Sequence, residues 1–128
     1  MSVIDVHNLS VTKKGTLPRV PFLGIKEKIL GKAYSLSISF VEEKQAKALN
    51  KKFRKKSYIP NTLSFSLTKK SGDIIMCLSK IKKEAPEFGF SYNKFLTFLL
   101  IHSMLHLKGF QHGSTMEAKE QYYFAFFE

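Results

Sequence analysis

Apolar residues recur at every second position from Tyr34 to Val41. Tyr34, Leu36, Ile38 and Phe40 stand against Ser35, Ser37 and Ser39, and this alternation predicts a strand with one buried face. Ser2 to His7 sets Ile4 and Val6 against Val3, Asp5 and His7 and predicts a shorter one. Leu63 to Leu67 and Ile74 to Leu78 predict two more, joined as a hairpin through the turn-forming cluster Lys69, Lys70, Ser71, Gly72 and Asp73. Between the strands the period becomes helical. Thr16 and Pro18 mark a helix start, with Phe22, Ile25, Ile29 and Leu30 on one face and Gly31 as the stop. Glu42 to Lys52 predicts the next helix, with acids first and lysines last, as the helix dipole favours. Pro60 disfavours helix from Arg54 to Asn61, which reads as a loop.

Ser79 to Ala85 predicts a short helix stopped by Pro86, after which Ser91 caps a long helix reaching Lys108. That helix carries Phe95, Leu96, Phe98, Leu99, Leu100, Ile101, Met104, Leu105 and Leu107 nearly all round, so it is expected to be central and buried. Gly109 supplies its left-handed stop. Ser114 and Glu117 spell a capping box for a last helix, whose Phe124, Phe126 and Phe127 are expected to cover the sheet. The expectation is α/β (α+β): a single layered domain over residues 1–128, with a mixed β-sheet of about four strands packed against helices.

Composition narrows the class. With 128 residues, 44% of them hydrophobic, and only 7 Gly and 4 Pro, the chain can bury one core, which excludes a disordered, collagen-like or disulfide-stapled chain. The longest nearly pure apolar run, Phe95 to Ile101, is far short of the roughly 20 residues that cross a bilayer, so no membrane partner is expected. Asp5 stands where a secretory signal would be basic or apolar. A single cysteine, Cys77, allows no internal disulfide and implies no disulfide-linked partner; it suits a reducing cytoplasm, the expected location.

Charge points to a partner. The 21 basic and 10 acidic residues leave a formal +11, which favours a polyanion. All the basic residues but Arg19 and Arg54 are lysine, a bias that lysine-rich proteomes produce without any ligand. Placement therefore says more than the total. Lys51, Lys52, Arg54, Lys55 and Lys56 crowd around Phe53, which reads as a phosphate-facing patch, with a merely solvated surface as the competing account. Phe53 and Tyr58 can stack on bases there, although burial of Phe53 in the helix face is the favoured role.

His102, His106 and His112 form the pattern HxxxHxxGxxH. Positions i and i+4 of a helix lie above one another, so His102 and His106 present two imidazoles to one point. Gly109 lets the chain leave the helix, so that His112 can supply a third nitrogen. Three neutral histidines leave one position open on a tetrahedral metal, as in a catalytic zinc site. Histidines satisfied by backbone carbonyls are the bland alternative, but two imidazoles in an apolar helix are costly without partners, and one metal satisfies both. One divalent metal per chain is expected. Zinc is favoured, though nickel, copper and iron accept the same ligands. His7, alone on a strand, carries no such signal. The spacing equals that of the metzincin proteases, which place a glutamate base directly after the first histidine; here that residue is Ser103, so peptide hydrolysis by that route lacks its base.

The histidine stretch also resembles the signature of the YbeY endoribonucleases, or rRNA maturation factors, which reads approximately HGxLHLxGYDH. His102, Leu105, His106, Leu107, Gly109 and His112 are in register, with Phe110 for the tyrosine. Leu49, Asn50, Phe53 and Arg54 match the family's LNxxYR; Pro60, Asn61, Thr62, Leu63, Ser64 and Phe65 resemble PTDVLSF shortened by one residue. Gly72, Asp73, Ile74, Ile75 and Cys77 are similar to its GDIVIC strand. Ser103 replaces the family's glycine and Gln111 its aspartate. The resemblance implies a metal-dependent endonuclease selective for single-stranded RNA. It would act in ribosomal RNA maturation, particularly the small-subunit 3′ end, and in ribosome quality control, with ribosomal RNA and the small ribosomal subunit as partners. It assigns the metal ligands to His102, His106 and His112 and the functional arginine to Arg54. Lys51, Lys52, Lys55 and Lys56 would then guide the strand without reading its sequence. The alternative is a non-catalytic ribosome-assembly factor in which the metal only fixes the fold.

Overall fold

Ile38 lies fully buried at the centre of a sheet, opposite Val11 on one side and Ile74 on the other. The structure is a computed structural model and describes residues 2–127. Its elements are β1 (Ser2–Val6), β2 (Leu9–Lys13), α1 (Phe22–Ile29), β3 (Ser35–Phe40), α2 (Glu43–Arg54), β4 (Thr62–Thr68), β5 (Ser71–Met76), α3 (Leu78–Glu84), α4 (Tyr92–Lys108) and α5 (Ser114–Phe127), with a 3₁₀ turn at Ala85–Phe88. The sheet has five strands in the order β1-β2-β3-β5-β4. The inner three run parallel, while β1 and β4 pair antiparallel at the two edges.

The expectation of about four strands missed β2. His7 and Asn8, at φ 49° and 63°, form the two-residue connection between Val6 and Leu9. Such left-handed pairs make the hairpin turn whose twist suits two strands, and asparagine tolerates that conformation. Without glycine there, the turn was not apparent. The first helix begins at Phe22, with Pro21 rather than Pro18 at its cap, because residues 18–22 make two tight turns first: Val20 N–H to Pro18 and Phe22 N–H to Val20. Ser71, Gly72 and Asp73 belong to β5, leaving Lys69 and Lys70 as the turn. Pro86 does not end the helical path but sits in the first turn of the 3₁₀ segment, where its missing N–H costs nothing.

One row across the sheet explains where the site forms. Ile4, Val11, Ile38 and Ile74 face the core in register, but the next residue on β4 is Ser64. The alternation of a strand puts Thr62, Ser64 and Ser66 on the same side. The core layer of the edge strand is thus polar. Against it packs α4, whose Phe95, Leu96, Leu100, Ile101, Met104 and Leu105 are buried as expected. The last helix departs from expectation: α5 packs on α4, with Phe124 against Phe90 and Phe98, while Phe126 is exposed beneath the Lys28 ammonium. Its start is also displaced by one residue, since the Gly113 carbonyl accepts the Glu117 N–H and Ser114 already lies inside the helix.

Gly72 matters to this arrangement. A Cβ there would lie 2.5 Å from the Tyr34 hydroxyl, 3.0 Å from Leu107 and 3.1 Å from the Phe65 carbonyl. Gly72→Ala is expected to destabilise the fold by about 1–3 kcal/mol through overpacking, measured by urea unfolding. An unchanged midpoint would show that Tyr34 and Leu107 yield without strain.

Candidate active site

The first turn of α4 is capped by Ser91, whose hydroxyl accepts the Lys94 N–H, and its end is closed by Gly109 at φ 112°. That left-handed turn brings residues 110–112 back beside the last turns of the helix, where the Phe110 N–H bonds the Leu105 carbonyl. His102 and His106 are half-buried and His112 is exposed. The ligand nitrogens of all three lie within 4.8 Å of one another.

Two hydrogen bonds fix the imidazoles. His102 Nδ1 is 2.7 Å from the Glu120 carboxylate, and His106 Nδ1 is 3.1 Å from the Phe110 carbonyl. Both partners accept, so each neutral ring carries its hydrogen on Nδ1 and leaves Nε2 with a lone pair. The two Nε2 atoms face each other at 3.1 Å. Two lone pairs so close repel unless a cation stands between them, and the separation suits two nitrogens each about 2.0–2.1 Å from one zinc ion. Burial, then the neighbouring His102, push the His106 pKa below the ordinary histidine value, which keeps that ring neutral and ready to ligate. The donor set therefore fits a divalent metal.

Glu120 went unrecognised in the sequence. It is a buried carboxylate on α5, eighteen residues from the ring it orients. Only its three-dimensional packing reveals the role; the feature that hinted at it is an acid facing inward on a helix otherwise covering α4. Carboxylate partners of this type fix tautomer and raise ligand basicity. Glu120→Gln is expected to weaken metal affinity about 10–100-fold, read by competition with a chelator. Unchanged affinity would remove Glu120 from the site.

Arg54 shares a cavity of about 420 Å³ with His102, His106 and His112, walled on the far side by Thr62, Ser64 and Ser66. Lys51, Lys52, Lys55 and Lys56 are exposed around Arg54 but do not line that cavity. Asn50 donates to the Tyr58 carbonyl at 3.0 Å and folds the loop onto α2, and Lys55 closes the helix in a left-handed conformation. Arg54 is thereby held at the end of a terminated helix. Among the described residues it makes no ion pair; Glu43, a candidate partner by proximity in sequence, is taken by Lys83 and Ser79. Phe53 is 56% exposed, contrary to the favoured reading of burial, and meets Phe65 edge-on at 5.5 Å. Tyr58 is exposed as well. Ser103 is buried, its hydroxyl 3.1 Å from that of Thr62, so it ties α4 to the edge strand. Among the described residues, no carboxylate lines this cavity.

The sequence model of the family described as Endoribonuclease YbeY matches residues 18–123. The chain belongs to this family. A YbeY endoribonuclease of Polynucleobacter asymbioticus is 35% identical over 126 residues, covering 92% of this chain and 81% of the relative. That of Alkaliphilus metalliredigens is 34% identical over 98 residues, 68% of this chain and 63% of the relative, so the match spans less than two thirds of that protein. The solution structure of a Thermotoga maritima protein superposes with a TM-score of 0.59 at 27% identity, covering 80% of this chain and 76% of the other. The YbeY match takes in the three histidines, Arg54 and Glu120 together.

Proposed function

We propose that this chain is a metal-dependent endoribonuclease that cuts single-stranded RNA during ribosomal RNA maturation, at the small-subunit 3′ end, in the cytoplasm. The observation that carries the reading is the pair of Nε2 atoms 3.1 Å apart, with both Nδ1 atoms engaged, in one cavity with an arginine that makes no ion pair among the described residues. A divalent ion held by His102, His106 and His112, zinc in this reading, supplies a Lewis acid and a nucleophile activated at neutral pH. Arg54 offers a bidentate fork to the scissile phosphate and neutralises charge gathering on its oxygens. Glu120 and the Phe110 carbonyl hold two ligand rings in place. Thr62, Ser64 and Ser66 present hydroxyls and backbone to the sugar-phosphate chain.

A peptidase is disfavoured by the same geometry, because Ser103 is tied to Thr62 and no carboxylate base lines the cavity among the described residues. That absence is also what favours the second reading, an RNA-binding assembly factor whose metal is structural. Purified protein incubated with single-stranded RNA, duplex RNA and casein separates these accounts. Cleavage of the single strand alone is expected. RNA bound but never cut, with metal at full occupancy, would favour the assembly factor; cut casein would restore the peptidase.

Protons compete with metal for the same nitrogens, so metal is expected to dissociate as pH falls below about 6. Its depressed pKa keeps His106 available to lower pH than a free imidazole. Dialysis at graded pH followed by elemental analysis checks this; metal fully retained at about pH 4 would point to ligands other than imidazole.

A further inference from the structure

Lysine is abundant in this chain, but many lysines have internal partners. Lys26 is fully buried and donates to the His7 and Lys32 carbonyls, Lys108 donates to Ile29, and Lys80 and Lys83 pair with Glu84 and Glu43. Those on α2 differ. Lys44, Lys47 and Lys51 are exposed and, among the described residues, make no ion pair. With Arg54 they follow the spacing i, i+3, i+7, i+10, which places all four on one face of the helix. The arrangement opposes helix stability twice: Lys44 sits in the first turn, where the dipole disfavours cations, and Lys47 and Lys51 are like charges four apart. Glu43, which could have offset Lys44, is drawn to Ser79 and Lys83. After Glu43 the helix contains no acid.

At the foot of this face opens a cleft of about 1010 Å³, lined by Lys13, Lys14, Lys44, Glu42, Phe40 and Leu78 among others. It lies beyond the carboxyl ends of parallel strands β2 and β3, where α/β sheets commonly receive ligands. Three of its lining residues are cations and one is an anion. From Lys44 to Arg54 the helix rises about 15 Å, more than a single nucleotide spans.

We propose that Lys44, Lys47 and Lys51 form a track along which an RNA strand, with its scissile phosphate at Arg54, continues into the cleft beside Lys13 and Lys14. This inference rests on the endoribonuclease reading and adds the path of the strand outside the active cavity. Its chemistry is that of a sequence-tolerant backbone contact: point charges at one-turn intervals, with no base-reading side chains among them.

The test is binding of single-stranded RNAs of about 4 and about 12 nucleotides to wild type, K44Q/K47Q and a control, K32Q/K70Q, which removes two exposed lysines just before the amino ends of β3 and β5, opposite the cleft. For the long RNA, K44Q/K47Q is expected to make the slope of log affinity against log salt shallower by about 1.4, or 0.7 for each phosphate released. The short RNA, seated in the active cavity, should bind K44Q/K47Q as it binds wild type, and the control should match wild type with both. A long-RNA slope unchanged in K44Q/K47Q, or an equal loss in the control, overturns the track and leaves the active site standing. Wild type that binds neither RNA overturns the endoribonuclease reading and the track with it.

Discussion

His106→Ala is expected to abolish metal binding and RNA cleavage together. In the proposed site His106 would contribute one of three nitrogens, and its ring is fixed by the Phe110 carbonyl so that Nε2 points at His102. Removing it leaves at most two imidazoles, one of them on the exposed segment after Gly109. The loss should exceed the 10–100-fold that removal of a supporting partner costs. Alanine is the best helix former, so α4 should persist. The discriminating control is thermal: added metal should stabilise wild type, by about 2.7 kcal/mol at a hundredfold excess over Kd, and leave the variant unmoved. A variant with full metal occupancy, or one stabilised as wild type is, would mean that the ion sits elsewhere.

Arg54→Lys is expected to lower the single-turnover cleavage rate on the order of 10²-fold, the scale for losing one preorganised donor to a developing anion, while RNA affinity changes little. Lysine keeps the charge but gives up the planar fork, so only the geometry is tested. Because Arg54 is exposed and makes no ion pair among the described residues, the substitution should not disturb the fold. Lys55→Ala should behave oppositely: affinity weakens modestly and the saturating rate holds, since Lys55 lies outside the cavity that holds the histidines. Equal rates for wild type and Arg54→Lys, with metal bound, would remove Arg54 from catalysis.

The histidine cluster was legible in the sequence because both its constraints are local. A helix fixes i against i+4, and a glycine at the helix end fixes the return to His112. Arg54 was legible as a candidate through its rarity and setting, but its presence in the same cavity depends on the fold bringing the end of α2 beside β4 and the histidines of α4, which no periodicity encodes. Glu120 was not legible, since its partner lies eighteen residues away on a different helix. The strand β2 was hidden by a turn made without glycine, and α5 was misplaced because aromatic residues on both faces of a helix do not say which neighbour they meet. Phe53 was misjudged for a related reason: it sits exposed at the last turn of α2, with Phe65 edge-on on one side and the Lys52 ammonium over its ring.

The most direct measurement is cleavage of a single-stranded RNA by the purified protein before and after removal of metal, with the ion content counted in the same sample. The account predicts about one divalent ion per chain, no cutting once it is stripped, and recovery in proportion to the zinc restored. Undiminished cutting by metal-free protein would contradict it, as would full metal occupancy with no cutting of any single-stranded RNA.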